Sequence, residues 1–329
     1  MISLGHMIAL PTADDIEMAA ARIAPFILRT PLIESPDLNA RMGARIFLKA
    51  ENLQRTGSFK IRGAANRLLM IPAGDRLKGV VAFSSGNHAQ GVAAAASLLG
   101  MKATIVMPAD APHAKLEGTR ALGAEIVTYD RHREDREAIA QKICDERGAT
   151  LVRPFDDPWI VAGQGTVGLE IAQDAPALDA VAVPCSGGGL VSGIALAMSK
   201  HRPNTRTFSV EPQGFDGMRL SMEKGERRRA AANGVSIADS LMAPTPGKVP
   251  FAIARIVGLH GLAVTDAELS RAVSYAFRKL KLVVEPGGSA ALAALLAGKI
   301  EGKSIAIVLS GGNADPETIA KCCKEWPEP

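Results

Sequence analysis

The sequence has few cysteines and few aromatic residues. Four of its 329 residues are cysteine, namely Cys144, Cys185, Cys322 and Cys323. None forms a C-x-x-C pair or belongs to a Cys/His set at zinc-ligand spacing, so neither a disulfide framework nor a structural metal site is indicated. Phe, Trp and Tyr together make up only 4% of the chain, whereas glycine, with 32 residues, exceeds the average share of about 7%.

The sequence also lacks a strong charge bias and a long apolar run. Lys and Arg number 38 and Asp and Glu 34, a net charge of +4 that is too small to predict nucleic acid as a partner. The most apolar stretches, 91–107 and 289–296, are interrupted by Gly or Lys before about 18 apolar residues accumulate, so no membrane span is predicted. The N-terminal segment has no basic region ahead of an apolar one, as a secretory signal would. We therefore expect a cytoplasmic protein.

Length and periodicity predict an α/β protein with one open sheet or two. A chain of 329 residues corresponds to about two domains, and 47% hydrophobic residues suffice for a large core. Short β-branched runs alternate with Ala- and Leu-rich stretches of helical period, as in parallel strands joined by helices. Strands are predicted at 45–49, 79–83, 103–107, 125–129, 180–184, 207–211 and 304–309. Helices are predicted at 14–27, 61–70, 88–99, 113–122, 135–147, 190–199, 266–280, 288–297 and 316–323. Segment 223–250 lacks these patterns and is predicted to run over the surface.

Three segments share one pattern of a β run, a small polar or glycine-rich turn and a helix. They are VVAFSSGNHAQG at 80–91, VAVPCSGGGLVSG at 181–193 and IAIVLSGGNADPE at 305–317. In an open α/β sheet such turns lie at the carboxyl ends of strands, where ligands bind, and each helix start offers unpaired N–H groups. Three such turns suggest a single anionic ligand. Taken alone, the triple glycine at 187–189 is equally consistent with a tight turn that binds nothing.

Lys60 is flanked by small and apolar residues and leads into a predicted helix. A lysine buried in such surroundings loses its charge readily, and a neutral amine can attack a carbonyl to form a Schiff base. Taken alone, a lysine is far more often an ordinary solvated surface charge, so the assignment depends on its context.

Four motifs occur in order along the chain: TGSFKIRGA at 56–64, SSGNHAQG at 84–91, CSGGGL at 185–190 and SGGN at 310–313. Together they resemble the pyridoxal 5′-phosphate (PLP) enzymes of fold type II, in particular the branch of serine/threonine dehydratases and serine racemases. The resemblance extends from RTPLIESPDLN, which begins at Arg29, to the last motif. Cysteine synthases and threonine synthases of the same fold type look different in two places. An acidic residue usually follows their lysine, and their loop at the position of SSGNHAQG differs.

The resemblance implies two open, twisted, mostly parallel sheets flanked by helices. It places PLP between a large domain of residues 1–52 and 158–329 and a small mobile domain of residues 53–157. It also implies a small amino-acid substrate and a homodimer.

The same resemblance assigns roles to individual residues around the cofactor. Lys60 is expected to form the Schiff base and to act as the general base, with Phe59 packed against the cofactor ring. Asn87 is expected to hydrogen-bond the phenolic oxygen, Ser310 to meet the pyridine nitrogen and Glu285 to lie near the pyridine edge. The phosphate is expected to be bound by backbone N–H groups and one hydroxyl, those of Gly187, Gly188, Gly189, Leu190 and Ser186.

The substrate carboxylate is expected at the turn that follows residue 83, because the N–H groups and the dipole at a helix start suit an anion. The residues that the resemblance assigns to it are Ser84, Ser85, Asn87 and His88. Ser85 also occupies the place of the second proton carrier in serine racemases. Dehydratases share this serine, so it does not separate the two activities.

The implied reaction is β-elimination of water from L-threonine or L-serine to give a 2-oxo acid and ammonia. A neutral Ser310 hydroxyl at the pyridine nitrogen leaves that nitrogen unprotonated and weakens the ring as an electron sink. After Lys60 takes the α-proton, loss of a β-hydroxyl is then easier than transamination. The alternatives are a serine racemase, a 3-hydroxyaspartate ammonia-lyase, for whose second carboxylate the sequence identifies no cation, and a silent binding protein of the same fold.

A divalent cation is the least supported of the implied ligands. Relatives that bind one use an acidic residue at a strand end, a carbonyl four residues later and a second acid two residues beyond. Glu211 matches the first position, but Gly217 replaces the second acid and Asp216 lies one position off. Glu211 is therefore a candidate ligand, and no complete cation site is predicted.

Overall fold

The computed structural model describes residues 9–111, 113–231 and 234–327. Within these ranges the chain alternates between strands and helices along most of its length. The strands are β1 (Leu32–Glu34), β2 (Arg45–Ala50), β3 (Val80–Phe83), β4 (Ala103–Pro108), β5 (Glu125–Tyr129), β6 (Thr150–Leu151), β7 (Ala180–Pro184), β8 (Arg206–Pro212), β9 (His260–Val264) and β10 (Ser304–Leu309). The helices are α1 (Ala13–Ile23), α2 (Pro36–Met42), α3 (Lys60–Leu69), α4 (Asn87–Leu98), α5 (His113–Ala121), α6 (Arg136–Arg147), α7 (Pro158–Asp174), α8 (Gly189–His201), α9 (Gly217–Lys224), α10 (Lys248–Val257), α11 (Asp266–Tyr275), α12 (Ala290–Leu296) and α13 (Pro316–Glu325).

The strands form two sheets, which confirms the predicted architecture. One has the order β1-β2-β10-β7-β8-β9 and the other β5-β4-β3-β6. All neighbouring strands are parallel except β1 and β2. The strands of the second sheet all fall within residues 53–157, and those of the first fall outside that range. The domain boundaries at these residues stay a prediction.

The seven predicted strands are all present with boundaries within one residue, and the nine predicted helices are present as well. Helix α7 was missed although it has 17 residues, because its glycines lower the helical propensity of the segment. The prediction that 223–250 runs over the surface was wrong in part. Ala238 and Leu241 are buried in the core beside Leu269, since the segment turns inward against α11.

Glycines at the crossing of α7 and α8 account for part of the glycine excess. A Cβ atom at Gly193 would lie 2.5 Å from Val161 O and 2.7 Å from Gly165 N. A Cβ atom at Gly165 would lie 2.9 Å from Gly193 O. The backbones of the two helices therefore touch, a packing that leaves no space for a side chain on either side.

A buried ionic network fixes α3 against β2 and α7. Arg62 is fully buried, and its Nε and Nη2 donate to the two oxygens of Glu51, both at 2.8 Å. Its Nη1 donates to Glu170 Oε1 at 2.7 Å. Lys49 Nζ donates to the other Glu170 oxygen and to the carbonyl of Thr30. Two buried cations thus face two buried carboxylates, the condition under which buried charges are tolerated.

None of the helices in the described ranges combines the length and the apolar character that crossing a membrane requires. The four cysteines are buried and carry free thiols. Neither observation identifies a ligand or a partner of the protein.

Gly193→Ala should destabilise the protein although alanine has the higher helix propensity. The new methyl group would meet Val161 O at 2.5 Å, and we expect a loss of about 1–3 kcal/mol, as for other overpacked cores. Gly118→Ala is the matched control. This glycine also lies inside a helix, but the nearest neighbour of the added Cβ, Gln90 Nε2, is 3.9 Å away. The control should gain up to about 1 kcal/mol. Denaturant midpoints measure both, and equal stability of the two variants would contradict the crossing described above.

Candidate active site

The three glycine-containing turns lie at the carboxyl ends of parallel strands. Ser84 follows β3, Cys185 follows β7 and Ser310 follows β10, and β7 and β10 are neighbours in the larger sheet. The turn after β3 belongs to the smaller sheet, yet its Asn87 Nδ2 donates to Glu285 Oε1 at 2.6 Å. The candidate site therefore lies where the strand ends of the two sheets meet.

Lys60 begins α3, and its amine faces a carbonyl and an aromatic ring. Nζ donates to Pro154 O at 3.1 Å and lies 5.2 Å from the centroid of the Phe59 ring. Burial lowers the pKa of Lys60 from 10.5 to about 8, although the nearby Glu285 carboxylate opposes the shift. About a tenth of this amine is therefore neutral at pH 7, far more than for an ordinary lysine, and the neutral amine is the form that attacks a carbonyl.

The segment before Lys60 is tied to the turn after β10. Phe59 N donates to Ser310 O at 3.2 Å, and Ser58 and Gly311 form an isolated antiparallel bridge. Ser310 is 5% exposed, and its hydroxyl has no hydrogen-bond partner among the described residues. This hydroxyl is therefore free to bind a ligand atom.

Asn87 is held from both ends of its amide. Its Nδ2 donates to Glu285, as given above, and its Oδ1 accepts from Asn313 Nδ2 at 2.7 Å. Asn313 Nδ2 also donates to Thr56 O at 2.7 Å, where the backbone of Thr56 has the left-handed φ of +63°. Since an amide carries two N–H donors, Asn87 retains one for a ligand.

Glu285 is buried at 6% exposure beside this amide. Burial, followed by the negative charge of Asp239, raises its pKa to about 7, and the hydrogen bond from Asn87 opposes the rise. Its Oε1 would lie 2.4 Å from a Cβ atom at Gly311. Glycine at position 311 is therefore what allows the carboxyl group to reach the turn after β10.

The loop between β7 and α8 requires glycine because of its neighbours. A Cβ atom at Gly187 would lie 2.3 Å from the Phe155 ring, and Gly188 has a φ of +94°. Within the described part of the chain, no group accepts the backbone N–H of Gly188, Gly189 or Leu190. Unpaired N–H groups at a helix start bind phosphate, so this loop can hold an anion.

The side chain at the start of the same loop is engaged elsewhere. Ser186 Oγ accepts a hydrogen bond from Ala243 N at 3.2 Å. Its hydroxyl hydrogen remains available, so a donor role toward the phosphate is retained as a prediction.

The residues predicted to hold a substrate carboxylate do not share one orientation. His88 is 3% exposed, and its Nε2 lies 3.0 Å from Val152 O, turned into the protein. Burial, helped by the positive charge of Lys60, lowers the pKa of His88 to about 3, so its ring is neutral. Ser84 Oγ accepts from Gly86 N at 3.2 Å. The side chain of His88 is therefore turned away from the turn that was predicted to bind the carboxylate.

Ser85 lines a recess of about 480 Å³ at the carboxyl ends of β3, β4 and β5. Arg131 and Arg136 also line it. Arg131 is ion-paired with Asp110 at 2.8 Å, whereas the Arg136 guanidinium stacks 5.5 Å from the Phe83 ring centroid and, among the described residues, pairs with no carboxylate. The recess therefore contains a cation, the Arg136 guanidinium, that could bind a second carboxylate. The sequence alone did not identify such a group.

Two acidic residues of this recess already accept hydrogen bonds from backbone N–H groups. Asp135 Oδ1 accepts the N–H groups of Glu137 and Ala138 at the start of α6. Glu134 Oε2 accepts Asp130 N at 2.6 Å. Because backbone groups hold both carboxylates, neither forms an ion pair with Arg136.

Glu211 lies apart from these residues, at the end of β8. It is fully buried, and its two oxygens accept Met218 N at 2.9 Å and Arg219 N at 2.8 Å. Asp216 is ion-paired with Arg219. In the part of the chain that the structure describes, no three His, Cys, Asp or Glu residues are grouped as a metal site requires. The residues at Glu211 therefore do not fit a divalent cation.

Besides Arg136, three further residues of the site were missed by the sequence analysis. Pro154 and Phe155 lie in an irregular segment between β6 and α7 that carries no motif. Folding brings Pro154 to Lys60 and Phe155 to Gly187, although these residues are far apart in the sequence. Asn313 is the last residue of the SGGN motif, so its place in that motif was the signal that could have identified it.

Comparison with known proteins gives consistent results along the chain. A family model described as "Pyridoxal-phosphate dependent enzyme" matches residues 23–311. An L-threo-3-hydroxyaspartate ammonia-lyase of Pseudomonas sp is 44% identical over 318 residues, or 96% of this chain and 99% of that protein. An L-threonine ammonia-lyase of Thermotoga maritima is 39% identical over 309 residues, or 94% of this chain and 77% of that protein. A structure of maize serine racemase has a TM-score of 0.90 and 37% identity, and the match covers 96% of this chain and 98% of that one.

The uptake of PLP by the apoprotein should depend on pH as the Lys60 amine does. Only the neutral amine reacts with an aldehyde, and the pKa is lowered to about 8, so the rate should rise with pH to a midpoint near that value. Glu285→Gln removes the charge that opposes the shift and should move the midpoint lower still. Stopped-flow absorbance over a series of pH values measures the rate, with Lys60→Ala as the blank. A midpoint at the ordinary lysine value would contradict the burial of this amine.

Proposed function

Since this chain belongs to the pyridoxal-phosphate-dependent enzymes of fold type II, we propose that it is an ammonia-lyase. It eliminates water from a β-hydroxy-α-amino acid, and the enamine that is released takes up water again to give a 2-oxo acid and ammonia. The predicted family, its enzymatic character and PLP as cofactor are confirmed. The alternative of a silent binding protein is not retained. The choice of reaction and of substrate is our proposal.

One observation carries this choice: the Lys60 amine, with its lowered pKa, follows Phe59, whose N–H donates to the backbone carbonyl of Ser310, the residue that carries the neutral hydroxyl. Bound PLP supplies an aldehyde for the substrate's amino group and a ring that withdraws electrons from the α-carbon. Lys60 is placed to take up the α-proton at its Nζ. A hydroxyl at Ser310, rather than a carboxylate, favours loss of the β-hydroxyl over transamination, because it leaves the ring nitrogen unprotonated.

The remaining site residues support binding and orientation. The unpaired N–H groups of Gly188, Gly189 and Leu190 suit the phosphate. Asn87, fixed by Glu285 and by Asn313, offers its second N–H to the ring oxygen. The residues present therefore fit the cofactor.

Among the candidate substrates, we propose that a 3-hydroxyaspartate is preferred over L-threonine and L-serine. The recess beside Ser85 contains the guanidinium of Arg136 without a carboxylate partner. A guanidinium binds carboxylates through two parallel hydrogen bonds, and threonine and serine have no second carboxylate to offer it. The ammonia-lyase relative from Pseudomonas is named for this substrate.

The lyase reaction is tested by incubating the holoenzyme with L-threonine, L-serine and L-threo-3-hydroxyaspartate and following 2-oxo acid and ammonia. We expect equal amounts of both products and the highest kcat/KM for L-threo-3-hydroxyaspartate. Lys60→Ala should form neither product. Formation of D-serine from L-serine without 2-oxo acid would replace the lyase proposal with racemisation.

The proposed role of Arg136 makes a separate prediction. Arg136→Met should lower kcat/KM for L-threo-3-hydroxyaspartate by about 10- to 100-fold, the effect of losing one charge-assisted pair, and should leave kcat/KM for L-serine within about twofold. Arg133→Met is the matched control, because Arg133 lies in the loop just before α6, which Arg136 begins, but pairs with Asp130 outside the recess. Equal losses on both substrates would count against a second-carboxylate site while leaving the lyase proposal intact.

The predicted homodimer and cytoplasmic location also remain proposals. They are supported by the family resemblance and by the cysteine content of the chain. Light scattering on the purified holoenzyme tests the first, and fractionation of the source cells tests the second.

A further inference from the structure

We propose that Glu211 is a positioning residue for the glycine-rich loop at residues 187–189, and that backbone N–H groups of α9 take the place of the divalent cation that the family resemblance associates with this position. The proposal rests on the assignment of that loop to the cofactor phosphate. It does not depend on which reaction the enzyme catalyses.

The buried carboxyl group of Glu211 is hydrogen-bonded to a helix start. Its two oxygens accept the second and third N–H groups of α9, those of Met218 and Arg219, at 2.9 and 2.8 Å. These N–H groups have no partner inside the helix, and they lie at the positive end of its dipole. The helix therefore supplies the positive potential that a cation would supply elsewhere.

The space for a second acidic ligand is filled by backbone. A Cβ atom at Gly217 would lie 2.8 Å from Pro244 O, so no side chain fits there without a shift of the chain. The neighbouring acid, Asp216, accepts a hydrogen bond from Arg219 Nε at 2.8 Å. Both positions that could complete a cation site are thus closed, one by packing and one by an ion pair.

Glu211 is connected to the glycine-rich loop through two neighbouring residues, Cys185 and Met218. Cys185, which leads into the loop, places its Sγ 3.9 Å from Glu211 Oε1. On the other side, Met218 is fully buried, and its Cε would lie 2.6 Å from a Cβ atom at Gly188. The carboxylate therefore holds the helix whose side chain packs against the turn at Gly188. Removal of the carboxylate should release that turn and with it the unpaired N–H groups.

The first experiment asks whether the wild-type protein binds a cation. Apoprotein and holoenzyme are treated with chelator, desalted and titrated calorimetrically with Mg²⁺, Ca²⁺ and Mn²⁺. We expect no saturable heat, and no change in the melting temperature or in the dissociation constant for PLP. Stoichiometric binding that raises the melting temperature and is lost in Glu211→Gln would overturn the proposal.

The second experiment measures the effect of Glu211 on the loop. Glu211→Gln should raise the dissociation constant for PLP by about tenfold, the effect of losing one charged hydrogen bond, while kcat at saturating PLP stays within about twofold. Asp216→Asn is the matched control, because it removes an acid at the same helix start that does not contact the loop. It should leave the PLP dissociation constant within about twofold.

Met218→Ala tests the same contact from the helix side and covers the case in which Glu211→Gln fails to fold. It leaves the carboxylate in place but removes the side chain packed at Gly188, and it should also weaken PLP binding. A purely structural role of Glu211 would lower the melting temperature and leave the PLP dissociation constant unchanged, and this outcome would refute the proposal. Absorbance of bound PLP without any amino acid gives the readout, so failure of the lyase proposal would not affect the result.

Discussion

The guanidinium of Arg62 has no access to water. The segments that carry its carboxylate partners are also segments that position the site. These partners come from the segment after β2 and from α7, and Lys49 of β2 balances the second of them. Because leaving one such charge unpaired costs about 3–5 kcal/mol, α3, β2 and α7 are held together as one unit. Lys60 begins the same helix as Arg62, and α7 in turn touches α8, which starts at the glycine-rich loop. One buried network thus fixes the relative positions of the amine and the anion-binding loop.

Burial shifts the pKa values of three groups in the site toward their neutral forms. Burial favours the neutral form of Lys60, of His88 and of Glu285, through pKa values that fall for the two bases and rise for the acid. The loop at residues 187–189 offers backbone N–H groups rather than side-chain cations. A cofactor that brings its own phosphate charge therefore meets dipoles near the loop and, near its ring, groups whose charged forms are disfavoured by burial. Such a setting keeps the reacting groups free of strong ion pairs that would fix them in one protonation state.

Much of the fold and part of the site could be predicted from the sequence. Strands with alternating helices gave clear periodic signals, and the motifs around Lys60, Asn87 and Ser310 lie where parallel strands end, so the structure brings them together. Helix α7 could not be recognised, because the glycines that permit its contact with α8 also weaken its helical pattern. The contacts of Pro154 and Phe155 depend on residues far away in sequence, and no local pattern reports such a contact.

The antiparallel bridge between Ser58 and Gly311 has a consequence for the order of folding. It joins the segment before Lys60 to a turn after β10 that is far away in the sequence. The amine and its surroundings cannot be complete in a growing chain until both regions have met, a contact of high sequence separation that forms late. Capture of the cofactor then follows this contact rather than preceding it. The fraction of chains that carry PLP in a cell would report how many have made the contact.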